Sequence, residues 1–70
     1  MNRYAIPRRT HVTLTVLNTL GQQIATLVNG GQEAGDHEAI FDGTGLASGV
    51  YRYRLNAGEY VASKRFILLR

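Results

Sequence analysis

Two imidazoles, His11 and His37, stand in a chain of 70 residues, and Asp36 and Glu38 flank the second, so the residue types of a metal site are present. Their spacing follows no metal motif, and on an extended strand Asp36 and Glu38 point to the face opposite His37. Ser48, Ser63, His37 and Asp42 hold the types of a nucleophilic triad. A triad is defined by geometry and by an oxyanion site in a cleft, which a thin domain seldom offers. Gly43-Thr44-Gly45 with Gly49 has the composition of a phosphate-cradling loop. That role needs a helix N-terminus after the glycines, and a strand follows them here. Tyr51 and Tyr53 beside Arg52 and Arg54 have the composition of a base-stacking platform. Strand alternation sends those rings and charges to opposite faces, where they cannot form one mixed surface. The residues therefore assign no catalytic, metal or cofactor site, and the chain is not expected to be an enzyme.

The elements that carry these residues read as strands throughout. Val12, Leu14 and Val16 alternate with Thr13 and Thr15, which predicts a β-branched strand over residues 11–18 with one buried face. Asn18-Thr19-Leu20-Gly21 turns the chain, with the asparagine side chain opening the turn, so residues 22–28 return as the second arm of a hairpin. The spacing of Ile24, Leu27 and Val28 breaks strict alternation and predicts a bulge near Ala25 or Thr26. Residues 29–35 read as a flexible glycine-rich loop. In the next strand His37, Ala39 and Phe41 share one face, with Phe41 as a core ring, and Leu46 is expected to plug the core beyond the Asp42-Gly43-Thr44-Gly45 break.

Glycine punctuation at Gly45 and Gly49 hands over to alternation in which Tyr51, Tyr53 and Leu55 face inward and Arg52 and Arg54 face out. Asn56-Ala57-Gly58-Glu59 is a further hairpin turn, and Phe66-Ile67-Leu68-Leu69-Arg70 closes the sequence with Phe66 and Leu68 inward. Tyr4 and Ile6 before Pro7 make an edge strand at best. No window carries helical spacing free of glycine. The expectation is an all-β fold, a small antiparallel two-sheet sandwich of six to seven strands.

Length and composition narrow the function further. A chain this short buries only about 60% of its unfolded surface, so its core is thin and leaves little room for a pocket. It contains no cysteine, hence no disulfide or thiolate zinc site to support that core, and cysteine usage leaves the redox compartment open. The net charge of +3 is unevenly placed: Arg3, Arg8 and Arg9 lie early, Arg52, Arg54, Lys64, Arg65 and Arg70 late, and every acidic residue between Glu33 and Glu59. Such charges read as solvated strand faces rather than as a nucleic-acid surface. Residues 1–9 lack the apolar run of a signal peptide and no stretch is long enough for a membrane span, so an exported version needs a signal carried by another segment. The reading is one domain over residues 1–70, a fragment of a larger protein.

Four segments in order resemble the C-terminal sorting domain of proteins exported by the type IX secretion system of Gram-negative bacteria. Residues 12–16 leading to 20–28 are similar to the family's first hairpin, and Ala34-Gly35-Asp36-His37 to its alanine-glycine-x-aromatic turn. Leu46-Ala47-Ser48-Gly49-Val50-Tyr51 is similar to its leucine-x-x-glycine-x-tyrosine motif, and Lys64-Arg65-Phe66-Ile67-Leu68-Leu69-Arg70 to its basic-apolar-basic ending. Glu33 and Ala47 stand where the family often has proline, and His37 where tyrosine is common.

The resemblance implies an Ig-like, fibronectin-like sandwich that follows an exported cargo and is read by an outer-membrane translocon or its shuttle protein. It also implies removal by a sortase-like peptidase and a secreted or cell-surface destination. Within it Gly35, Leu46, Gly49 and Tyr51 are the fold-determining motif residues, and Lys64, Arg65, Phe66, Leu68 and Arg70 the candidates for partner recognition. Edge-strand pairing into a dimer stays open. The competing reading is an accessory module of an extracellular enzyme that binds carbohydrate or protein, which needs an exposed aromatic or polar site on a sheet face; Tyr51, Tyr53 and Tyr60 exposed and coplanar would favour glycan binding.

Overall fold

β-Branched alternation places β2 (Thr10–Leu17) at the centre of the fold, with Val12, Leu14 and Val16 no more than 1% exposed. Thr15 and Leu17 on the opposite face are buried as well, so the strand has two covered faces in its C-terminal half and not the one expected. The computed structural model describes residues 2–69; Met1 and Arg70, the latter among the recognition candidates, lie outside the described residues. β2 is flanked by β3 (Gln23–Gln32) and β5 (Gly49–Ala57), and β5 by β6 (Tyr60–Leu68), giving a four-stranded sheet of order β3-β2-β5-β6. β1 (Asn2–Ile6) pairs with β4 (Gly35–Ala39) in a second sheet. Every pairing is antiparallel. The fold is the expected all-β sandwich, with six strands and no helix among the described residues.

Register decides which side chains meet. Leu14↔Leu55 and Val12↔Ala57 set apolar groups side by side on one face of the larger sheet, and Ile6 and Ala39 close on them from the smaller one. Burial of a side chain the size of Leu14 contributes about 1.5–3 kcal/mol, so this short row carries much of the stability of so small a domain. Ile6, read from the sequence only as part of an edge strand, is 2% exposed and belongs to the core. Its strand is an edge, but its face is covered.

The Asn18 turn forms as expected: its Oδ1 accepts the amides of Leu20 (3.0 Å) and Gln22 (2.9 Å), and the Gly21 amide donates to the Asn18 carbonyl (3.0 Å). β3 departs from expectation by continuing through Asn29-Gly30-Gly31-Gln32, whose glycines predict a loop; these residues pair with Thr13, Val12, His11 and Thr10. The N-terminal half of β2 has peptide groups that need partners, and that demand outweighs the weak strand preference of glycine. Irregular spacing in β3 produces two register shifts, which leave Leu27 and Ile24 unopposed on either side of Ala25 and Thr26.

Gly35 opens β4 with φ +122°, a conformation that side chains rarely adopt. Along β4 the expected faces hold: Ala39 is buried, and Ile40, just beyond the strand, is 76% exposed. Phe41 and Leu46, both expected in the core, are only half-buried and fall outside the aliphatic cluster: Phe41 packs edge-on against Tyr53 and Phe66, and Leu46 follows a turn closed by its amide on the Gly43 carbonyl (3.0 Å). Replacing Leu14 with alanine is expected to cost about 2–5 kcal/mol, close to the whole stability of a domain this size, whereas methionine there should cost under about 1.5 kcal/mol. Urea unfolding followed by circular dichroism distinguishes the two outcomes.

Candidate functional site

The strand carrying the recognition candidates is held by one ring. Phe66 lies opposite Tyr51 in the β5–β6 register and stacks on Tyr53 with centroids 4.3 Å apart and on Tyr51 at 5.7 Å. Phe41 meets the same ring edge-on at 5.9 Å. Tyr51 is buried, and its hydroxyl donates to the Ala47 carbonyl at 2.6 Å, tying the segment that enters β5 to the strand itself. Leu68 points the same way and crowds Gly43, where a Cβ would lie 3.0 Å from Leu68 Cδ1 and Cδ2. Gly49 begins β5 with space for a Cβ, which would meet Tyr51 Cε2 at 3.9 Å.

With Phe66 and Leu68 turned inward, period-two geometry turns Val61, Ser63, Arg65 and Ile67 outward. All four are exposed, Val61 and Ile67 by more than 60%. Lys64 falls in the inner row opposite Tyr53, at the open edge of the sheet, and is exposed as well. The doubled basic residues therefore leave the strand on opposite sides. Arg65 stands directly opposite Arg52, a neighbour the sequence reading did not connect with it. The alternation of β5 showed that Arg52 points outward, but only the register shows what it faces. The two ion pairs among the described residues, Arg3–Glu38 (3.1 Å) and Arg9–Glu33 (3.2 Å), involve neither of these arginines.

The other chemistry-bearing residues are dispersed. His11 Nε2 donates to Asn29 Oδ1 at 2.8 Å on β2 and β3, while His37 Nε2 donates to the Glu33 carbonyl at 2.7 Å and its ring stacks on Tyr4. No group of three or more potential metal ligands occurs among the described residues. Asp42 Oδ1 accepts both the amide and the hydroxyl of Thr44 within its own loop, and Ser63 sits on the outer face of β6. The glycine loop leads into β5, so no helix aims its amides there. Of the three tyrosines whose joint exposure would favour glycan binding, Tyr60 is 51% exposed while Tyr51 is buried and Tyr53 half-buried under Phe66. An open cleft of about 210 Å³ between β1 and β6 is lined by Tyr4, Leu14, Tyr53, Leu55, Tyr60 and Lys64 among others, with no imidazole in its wall.

Burial raises the Tyr53 phenol above its ordinary pKa of 10.0. The folded state therefore holds that proton more tightly than the unfolded chain, a contribution complete below the unfolded pKa and lost as pH rises through the folded one. As pH rises past 10 the melting temperature should fall more steeply for the parent than for Tyr53→Phe, and equal slopes would exclude this origin. On β6, Phe66→Ala is expected to cost about 3 kcal/mol and Ile67→Ala less than about 0.5 kcal/mol, measured by urea titration. Comparable losses would mean that the two faces are misassigned.

Residues 2–69 match the family described as secretion system C-terminal sorting domain. No curated protein and no solved structure matches the chain. The match spans the hairpin, the Gly35 turn, the Tyr51 segment and the basic-apolar end strand through Leu69, and no helix of the described chain is long and apolar enough to cross a membrane. The chain belongs to the C-terminal sorting domain family of the type IX secretion system, and acts as a sorting signal for export through that machinery.

Proposed function

We propose that this domain is a non-catalytic address that follows an exported cargo, is read by an outer-membrane translocon or its shuttle protein, and directs the cargo to the cell surface. A sortase-like peptidase removes it after passage. The observation that carries this reading is the family match over residues 2–69, and the geometry of β6 supports it. β6 is the last strand of the four-stranded sheet, with one edge unpaired in that sheet and its outer row solvent-exposed. A strand in that position offers backbone groups for pairing and charged side chains for charge-assisted contacts. Lys64 and Arg65 supply charge together with Arg70, while Phe66 and Leu68 fix which way Lys64 and Arg65 point. Gly35, Leu46, Gly49 and Tyr51 serve the fold that presents this strand.

The test is a reporter fused ahead of the chain in a host with a working type IX system. Removal of residues 64–70 should abolish export. Because that truncation also removes the Phe66 stack, the exposed pair Lys64→Ser and Arg65→Ser is the cleaner variant, expected to keep stability within about 1 kcal/mol while export falls several-fold. Unchanged export from the folded double variant would contradict the role given to β6.

A further inference from the structure

On the outer face of the larger sheet, β5 and β6 set Arg52 directly opposite Arg65, with Arg54 two positions along. Like charges directly opposite each other destabilise a sheet, and among the described residues no carboxylate pairs with either arginine. The fold thus keeps a local cost that an anion would relieve. A cleft of about 340 Å³ opens beside the pair, with Asn18, Thr19, Val50, Arg52 and Arg65 in its wall. Apolar groups continue the same face: Val50 lies opposite Ile67, which is 62% exposed, and Val61 is 63% exposed. Beyond this row runs the edge of β6 that no strand of the sheet covers.

Edge, charge and apolar row together select one kind of occupant. A second copy paired antiparallel about the middle of β6 would set Lys64 against its own equivalent and the two Arg65 side chains on a diagonal across the seam, adding like charge beside the Arg52–Arg65 pair. An acidic strand would do the opposite. We propose that β6 takes up an extended acidic segment of a protein partner as a fifth strand, with a carboxylate opposite Arg65 and within the field of Arg52 and apolar side chains over Ile67. Period-two geometry gives the recognised pattern: an acidic residue with an apolar residue two positions away on the same face. The inference rests on β6 being the strand that the secretion machinery reads, and adds the chemistry of what reads it.

The probe is a nine-residue, end-blocked peptide of threonine and valine with one central glutamate and valine two positions to each side, compared with its glutamine twin. Each is titrated into the ¹⁵N-labelled 70-residue chain, with amide shifts and exchange protection as readouts. The glutamate peptide should perturb and protect β6 amides, bind about fivefold more tightly than the glutamine peptide, and weaken as salt rises. Arg52→Ser should lower its affinity about fivefold while leaving the chain at least as stable, because repulsion with Arg65 is removed. Equal affinity for the two peptides, no binding, protection away from β6, or self-association through β6 would each overturn the inference. Absent peptide binding with export still lost in the Lys64 and Arg65 double variant removes the acidic-strand inference alone; unchanged export removes the reading beneath it.

Discussion

The pleat of β2 determines which groups of the whole larger sheet lie inside. Because residues directly opposite each other share a face, Leu14 selects Leu55, Leu55 selects Ala62, and the same count along β5 and β6 carries Tyr51 to Phe66. A slip of one residue between β5 and β6 would exchange every side chain of β6 across the sheet, turning Arg65 into the inner row and Phe66 out of it. The stack of Phe66 on Tyr51 and Tyr53 would be lost, so ring packing protects the register. The presentation of the end strand therefore begins at three apolar residues near the other end of the sequence.

Stability in so thin a body has two centres. One is the aliphatic cluster of Ile6, Val12, Leu14, Ala39, Leu55 and Ala57. The other is the ring group in which Phe66 joins Tyr51, Tyr53 and Phe41, and there an edge strand is tied to the core. Arg3–Glu38 and Arg9–Glu33 lie with their side chains more than half exposed, where pairs contribute at most about 1 kcal/mol. Packing holds the end strand in place, while its outward charges remain available to a partner.

Much of this was legible in residue order. Alternation in Val12-Thr13-Leu14-Thr15-Val16 gave the inner face of β2 but not the burial of Thr15 and Leu17 on the other; in Tyr51-Arg52-Tyr53-Arg54-Leu55 it gave both faces of β5, and Asn18 announced its turn, because these signals are local. Four ordered motifs were enough to suggest the family that the match over residues 2–69 shows. The extension of β3 through Gly30 and Gly31 was hidden, since it answers the hydrogen-bonding need of a strand distant in sequence. Ile6 looked peripheral because its burial depends on Val12, Leu14, Leu55 and Ala57 of the four-stranded sheet, which its own segment does not reveal. The opposition of Arg52 and Arg65 depends on a register across a hairpin, which composition cannot reveal.

The separation of β6 into a held face and an offered face is the claim on which the account turns, and the absence of cysteine from the chain allows it to be measured cleanly. Single cysteines placed in turn at positions 61 to 68 and labelled with a maleimide under native conditions report accessibility residue by residue. The account predicts fast labelling at 61, 63, 65 and 67, slow labelling at 66 and 68, and fast labelling at 64 despite its inward row, because Lys64 lies exposed at the sheet edge. Uniform rates along the strand, or fast labelling at 66 with slow labelling at 65, would contradict it.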